Sequence, residues 1–262
     1  MDWDESTVVR AAQHVQEGTP FPESEAAFIR RSVQIEKIGD SIKLTEETTN
    51  DFARFVAELA RFLTRNVLRV INKQMWNGDG TAGIFGLINR ARPFDCTTIQ
   101  AKEQVTAPTL VTLVNVLRGR IMNRWYTGAT PPADTWADGK YNPDTVFCSW
   151  SDYTTLINAQ TTTGAPLYPN GVSQISGMKL VPTSLVPSNE LVIGDSEYVE
   201  MVGDPENISV ELGYDGNDWS SDTKTLKCRV RTALLLREVD RDGWFYVQDV
   251  GACLTALTKT DA

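Results

Sequence analysis

Between residues 45 and 76, apolar side chains recur at three- and four-residue steps: Phe52, Phe55, Val56, Leu59, Phe62, Leu63, Val70, Ile71 and Met75. That spacing collects them on one side of a 3.6-residue helix and predicts a single amphipathic helix over the whole stretch. Thr45 stands where an N-cap is wanted, and Glu46, Glu47 and Asp51 fill the opening turns. Arg61, Arg65, Arg69 and Lys73 follow, an order of charge that suits the helix dipole. Asn77-Gly-Asp-Gly ends the pattern, with Gly78 able to take the left-handed conformation that closes a helix. A helix of about thirty residues is roughly 45 Å long, longer than a compact small domain is wide. It predicts a spine across an elongated body, and no heptad pattern continues beyond it to suggest a coiled coil.

Around this helix the pattern is extended. Val33 and Ile35 alternate with polar residues on odd positions, whereas Ile38, Ile42 and Leu44 do so on even ones. The change of phase predicts a kink or bulge near 37–40. A second extended run is read over 7–16, and the two runs flank Glu17-Gly-Thr-Pro-Phe-Pro-Glu-Ser, whose Pro20 and Pro22 forbid ladder pairing. Together they predict a long hairpin with a projecting tip, which has too little chain of its own to pack against and needs a neighbouring molecule.

After the spine the pattern mixes: a short strand over 97–102, a helix over 108–125, and a loop over 126–144 rich in Pro and Gly. A strand over 145–148 and a helix over 151–159 follow. Strands are then expected at 178–181, 191–194, 208–212, 227–236 and 244–250, the last two joined as a hairpin through Asp242-Gly243. The fold class is α+β.

The chemistry of catalysis is sparse. Only one histidine, His14, is present, with no triad partners in view. Cys96, Cys148, Cys228 and Cys253 are scattered without a Cys-x-x-Cys pair, which makes zinc improbable and buried reduced thiols the expectation. Asn77-Gly-Asp-Gly-Thr-Ala-Gly follows a helix and lacks the Gly-Lys-Ser/Thr ending of a phosphate loop, and Asp215-Gly-Asn-Asp and Asp240-Arg-Asp-Gly are incomplete as calcium loops. Catalytic, cofactor-binding and metal residues are therefore all expected to be absent. A net charge of -9 argues against a general nucleic-acid binder, and no stretch approaches the ~20 apolar residues of a membrane span.

The order of these elements resembles the major capsid proteins of tailed bacteriophages, with the Hong Kong 97 fold. Ile42-Lys-Leu-Thr-Glu-Glu is similar to the family's entry to the spine, and Trp76-Asn-Gly-Asp-Gly-Thr-Ala-Gly-Ile-Phe-Gly-Leu-Ile-Asn to its post-spine turn. Val146-Phe-Cys-Ser, Gly164-Ala-Pro-Leu-Tyr, Gly177-Met-Lys-Leu-Val-Pro-Thr and Val192-Ile-Gly-Asp follow in family order.

The resemblance implies a division into an N-arm (1–8), an E-loop hairpin (9–44), a P domain with the spine (45–95), an A domain (96–215), P-domain strands (216–250) and a C-terminal segment (251–262). It implies a non-enzymatic protein that self-assembles, as hexamers and pentamers, into an icosahedral shell around double-stranded DNA. Portal, scaffold and decoration proteins are its implied partners, with assembly in the host cytoplasm and residence in the virion. The implied E-loop contacts between subunits are Glu17, Gly18, Pro20, Phe21, Pro22, Glu23, Arg30 and Arg31. Because 17–31 holds no lysine, a shell without covalent cross-links is expected; the long N-terminal scaffolding segment of some relatives is not seen, so either a separate scaffold or a segment already cleaved is expected. The rival readings are an encapsulin-like compartment that encloses cargo enzymes and, from another class, a soluble hydrolase or lectin-like binder with one polar pocket.

Overall fold

The computed structural model describes residues 2–9, 14–23, 25–81, 83–122, 141–160, 167–168, 171–203 and 208–259. In chain order it begins with strands β1 (Asp2–Val9), β2 (Glu25–Ser32) and β3 (Glu36–Thr45). Helices α1 (Glu46–Asp51), α2 (Ala53–Asn77) and α3 (Leu87–Arg90) come next, then β4 (Arg92–Pro93). Helix α4 (Leu110–Met122), strand β5 (Thr145–Cys148) and helix α5 (Trp150–Ile157) follow. Strands β6 (Gln174–Ile175), β7 (Met178–Pro182), β8 (Leu191–Gly194), β9 (Val199–Gly203) and β10 (Ser209–Gly213) come after these. Strands β11 (Thr223–Leu236) and β12 (Trp244–Val247) and helix α6 (Val250–Leu257) close the described chain. It divides into two compact units, Met1–Ile71 with Met201–Val239, and Asn72–Glu200 with Asp240–Ala262.

In the first unit β11 is the centre of a sheet ordered β10-β11-β3, with β9 also on β11. The β3–β11 ladder runs without a break from Glu36↔Thr232 to Thr45↔Thr223. Even-numbered residues of both strands share one face, where Ile38, Leu44, Leu226, Cys228 and Val230 are buried. Helix α2 lies on that face: Asn66 donates to Asp40 at 3.3 Å, and Leu63, Val67 and Ile71 are buried. Each such aliphatic side chain contributes roughly 1.5–3 kcal/mol by leaving water. Strands β1 and β2 form a separate two-stranded antiparallel ribbon.

The second unit is built on a six-stranded mixed sheet ordered β4-β12-β8-β5-β7-β6. Leu113, Val114, Leu117 and Ile121 of α4 are fully buried with Val146, Ile193, Phe245, Cys253 and Leu257 in one core. Elsewhere in the unit Phe147 meets Trp76 edge-on at 4.9 Å and stacks on Trp244 at 6.4 Å. A Cβ on Gly194 would fall 2.1 Å from the Trp244 ring, so this β8 position tolerates only glycine while Trp244 keeps its place. Cys96 and Cys253 form a disulfide that ties the short turn Cys96–Thr98 to α6.

Several expectations are corrected. The helix expected over 45–76 is two: Phe52, at φ -124 and ψ 56, interrupts it after α1. The residues before the break, Thr48-Thr49-Asn50-Asp51, are weak helix formers whose side chains compete for backbone partners. Thr45 is the N-cap, accepting from Thr48 N–H at 3.3 Å. Gly80, not Gly78, has the left-handed φ of 74. Gly78 is instead demanded by close approach, since a Cβ there would lie 1.9 Å from the Ile84 carbonyl oxygen.

The kink expected at 37–40 is not present, because the change of phase falls in residues 33–35, which lie outside the ladder between β2 and β3. The hairpin is made by β1 and β2, with β1 starting five residues before the run expected at 7–16. Strand β3 pairs instead with β11, in a register that puts its apolar even-numbered residues on the buried face. The strand expected at 97–102 is a pair of 3-10 turns, Cys96–Thr98 and Ala101–Glu103, held by Asp95 accepting from Thr97 N–H at 2.9 Å and Glu103 from Gln100 N–H at 2.7 Å. β11 and β12 are not a hairpin: β12 pairs β8 and β4, and Asp242-Gly243 lies in the 3-10 turn Glu238–Gly243. The expectation of four reduced thiols fails at Cys96 and Cys253. The loop over 126–144 lies outside the described residues except for 141–144.

Candidate assembly surfaces

The hairpin carries every residue singled out from the sequence. Its tip turns at Gln16–Thr19, where Thr19 N–H donates to the Gln16 carbonyl at 3.1 Å and Gly18 takes φ 85. Glu17, Gly18, Pro20 and Glu23 are exposed and Pro22 is half-buried. Phe21, fixed between two prolines, is 82% exposed, and Phe28 on β2 is 74% exposed. The ladder sets Arg30 opposite Asp4 and Arg31 opposite Trp3. Arg30 reaches Asp4 at 3.5 Å, a cross-strand ion pair too exposed to add much stability. Among the described residues this ribbon joins no larger sheet, so its aromatic rings stay open to water.

A second apolar surface lies on the helix and was hidden by the sequence pattern. The side chains read as one stripe separate into two: Leu63 and Ile71 are buried, whereas Phe52, Phe55 and Phe62 are 61%, 47% and 54% exposed. Val67, which escaped the sequence reading, belongs with the buried set. Successive residues on a helix turn by about 100°, so an apolar arc wider than the sheet can cover leaves its flank outside.

Polar groups hold the far end of the β11 sheet. Asp218 accepts from Lys43 Nζ at 2.7 Å and from Asp215 N–H at 2.9 Å, and Thr225 Oγ1 donates to it. The Lys43 ammonium and the Thr225 hydroxyl hold the Asp218 carboxyl well below the usual carboxylate range, and Asp218 in turn raises Lys43. Beside this cluster Tyr214 and Trp219 meet edge-on at 5.5 Å, with Trp219 77% exposed.

The second unit offers little chemistry. A cleft of about 330 Å³ is lined by Lys102, Glu103, Thr112, Asn115 and Arg120 among others. Its buried Arg120 is spent on structure, donating to Glu103 at 2.6 Å and to the Thr98 carbonyl at 2.7 Å. Burial pushes Glu103 up, but hydrogen bonds from Arg120 and the Gln100 N–H outweigh it and hold the carboxyl below its ordinary value. Burial raises the Cys148 thiol to about 12, which keeps it protonated and unreactive. Among the described residues no group of three or more His, Cys, Asp or Glu could hold a metal ion, and no helix is long and apolar enough to cross a membrane.

What these surfaces have in common is aromatic side chains left exposed. The sequence matches the Phage capsid family over residues 2–237, and the chain belongs to that family. Its fold is that of phage capsid proteins, of the Hong Kong 97 type. A chain of Mycobacterium phage Adephagia is similar at a TM-score of 0.66 and 16% identity, covering 94% of this chain and 84% of that one. A chain of Gordonia phage Cozz gives 0.65 and 12%, covering 93% and 80%. A chain from the capsid of a native GTA particle gives 0.66 and 11%, covering 93% and 84%. No curated protein matches. The protein is a major capsid protein, a shell-forming structural protein.

Proposed function

We propose that many copies of this chain close as hexamers and pentamers into an icosahedral shell that encloses a double-stranded DNA genome, without catalysing a reaction. The observation that carries this reading is the β1–β2 hairpin, whose Phe21 and Phe28 are exposed at 82% and 74% and whose strands, among the described residues, pair only with each other. In this reading Glu17, Gly18, Pro20, Phe21, Pro22, Glu23, Arg30 and Arg31 contact a neighbouring subunit. Residues 1–8 act as an N-arm, 9–44 as the E-loop, 45–95 and 216–250 as the P domain, 96–215 as the A domain, and 251–262 return towards it. Since β1 pairs with β2 from Asp2 onward, the arm and the E-loop share a strand in the free subunit. Assembly takes place in the host cytoplasm with portal and scaffold proteins, and decoration proteins are further candidate partners.

The family match supports a phage shell over a cargo compartment. Size-exclusion chromatography and negative-stain microscopy of the purified chain, alone and with its scaffold, test the proposal. Shells whose subunits run as single bands on a denaturing gel are expected, and particles purified from cells should contain DNA. A monomer that persists at high concentration under every assembly condition sinks the idea, and shells loaded with a protein cargo instead of DNA would favour the compartment.

A further inference from the structure

Arg61, Arg65 and Arg69 follow one another at four-residue steps on α2, and each stands two residues before a buried aliphatic: Leu63, Val67 and Ile71, all 1% exposed. Two residues turn a helix by about 200°, so each arginine lies nearly opposite the aliphatic it precedes. The three therefore form a row on the side of α2 turned away from the sheet. All three are exposed, and no ion pair holds them among the described residues. The acid before them, Glu58, is engaged by Arg54 at 3.7 Å. From 59 to 78 the sequence holds no Asp or Glu, and Lys73 continues the four-residue step. With 34 acids in 262 residues, about one position in eight, a stretch of 20 would ordinarily hold two or three.

Like charges four residues apart on a helix repel and weaken it, whereas a helix face that only meets water usually alternates its signs. The row is a local cost that an anion outside the subunit would offset. We propose that it faces the packaged genome and contacts the phosphates of double-stranded DNA, which makes the outer side of α2 part of the shell's inner wall; the inference rests on the assembly reading above. At 1.5 Å per residue, Arg61 and Arg69 are about 12 Å apart along the axis, a span over which one DNA strand presents about three or four phosphates. The guanidinium's forked donors suit that partner better than an ammonium would. A protein partner fits the row less well, because the exposed rings Phe52, Phe55 and Phe62 lie around its start. Beyond them only Leu68 and Val70, 39% and 42% exposed, offer apolar cover. The net charge of -9 keeps a free subunit from gripping DNA. A closed shell supplies what the free subunit lacks, since it holds DNA at high local concentration against many such rows at once.

Arginine modification by phenylglyoxal, read residue by residue by mass spectrometry, tests the contact in the wild-type protein. In particles filled with DNA, Arg61, Arg65 and Arg69 should react about fivefold more slowly than in the same particles emptied of DNA, as for a contact occupied about four-fifths of the time. Arg231, exposed on β11 opposite Lys37, should react alike in both. Equal rates for the row in filled and emptied particles overturn the proposal. So does a row slowed equally in both relative to the free subunit, because its cover is then protein. Arg61→Gln with Arg65→Gln and Arg69→Gln gives a second readout. This variant alters three exposed side chains, so its subunit should melt within about 2 °C of wild type. It should form shells at the wild-type critical concentration, and its filled particles should release DNA to nuclease at a lower temperature. A raised critical concentration with an unchanged release temperature overturns the proposal by assigning the row to a protein. If the variant fails to fold, the comparison of filled and emptied wild-type particles decides alone. A wild-type chain whose shells never hold DNA overturns the assembly reading itself, and is seen before any arginine is modified.

Discussion

Reduction of the Cys96–Cys253 bond should cost the subunit more stability than any surface change. The two cysteines are 157 residues apart in sequence, so the cross-link closes most of the chain into one loop. The chain-entropy relation gives about 5 kcal/mol at 25 °C for a loop of that size, and measured effects usually reach about 2–4 kcal/mol. In the folded chain the same neighbourhood is already clasped: Val105 N–H donates to the Leu257 carbonyl at 2.9 Å, Lys259 N–H to the Val105 carbonyl at 2.9 Å, and Gln104 to the Ala256 carbonyl at 3.2 Å. Those bonds keep α6 in place when the disulfide opens, so the fold should survive reduction while the unfolded chain gains freedom. At about 2–4 °C per kcal/mol for a chain of this size, a loss of about 3 kcal/mol lowers the melting temperature by about 6–12 °C. Calorimetry of the unassembled subunit with and without reductant reads this directly. Cys96→Ser, chosen because Cys96 is half-buried and Cys253 fully buried, should melt where reduced wild type melts and ignore reductant. Denatured wild type should titrate two thiols before reduction and four after. Four thiols before reduction, or a Cys96→Ser subunit that melts within about 1 °C of oxidised wild type, would refute the reasoning.

Gly194→Ala should be among the most damaging single substitutions, because the added Cβ would fall 2.1 Å from the Trp244 ring; overpacking of this kind costs about 1–3 kcal/mol or more, and soluble yield and melting temperature should both drop. Asp218 is held below the usual carboxylate range by Lys43 and Thr225, so the stability it contributes is present above its unfolded value and is lost as pH falls through the folded one. Asp218→Asn should therefore lower the melting temperature at pH 7 and flatten its fall on acidification, and an acid limb as steep as wild type's would count against the cluster. Cys148, raised to about 12 by burial, should resist iodoacetamide in the native protein at pH 8, and its alkylation on the time scale of an exposed thiol would contradict that burial. Phe21→Ser and Phe28→Ser should leave the subunit's melting temperature within about 2 °C, since both rings are exposed, yet reduce shell yield by light scattering; unchanged yield would remove the hairpin from the assembly contacts.

The elements that could be read from the sequence are those whose signal is local. Leu191–Gly194 and Trp244–Val247 announce themselves as apolar runs because they are enclosed in the six-stranded sheet. The cap at Thr45 was legible because its partner, Thr48, is three residues away. Partners distant in sequence were not. Nothing in Glu36–Thr45 tells that its ladder lies almost two hundred residues further on, at Thr223–Thr232. Nor does the spacing of four cysteines select Cys96 and Cys253.

The helix shows why the assembly surfaces themselves were partly hidden. A periodicity argument asks which residues avoid water, and it returns the same answer whether the cover is this chain or another. Phe52, Phe55 and Phe62 fit the period as well as Leu63 and Ile71 do, yet only the aliphatic pair finds a sheet within its own chain. A subunit that folded to satisfy every apolar residue would have nothing left with which to associate. The mismatch between the apolar arc written in the sequence and the narrower arc that the sheet covers is thus itself informative, because the uncovered remainder measures how much surface the chain reserves for partners. By that measure most exposed rings among the described residues of the first unit lie on three elements: the hairpin with Phe21 and Phe28, the flank of α2 with Phe55 and Phe62, and the turn with Trp219. The second unit keeps Trp244, Tyr141 and Phe245 almost wholly inside, although Trp150 is 55% and Phe85 38% exposed, against seven exposed aromatic side chains among the described residues of the first unit. Contacts between subunits that depend on apolar burial should therefore fall mainly on the first unit.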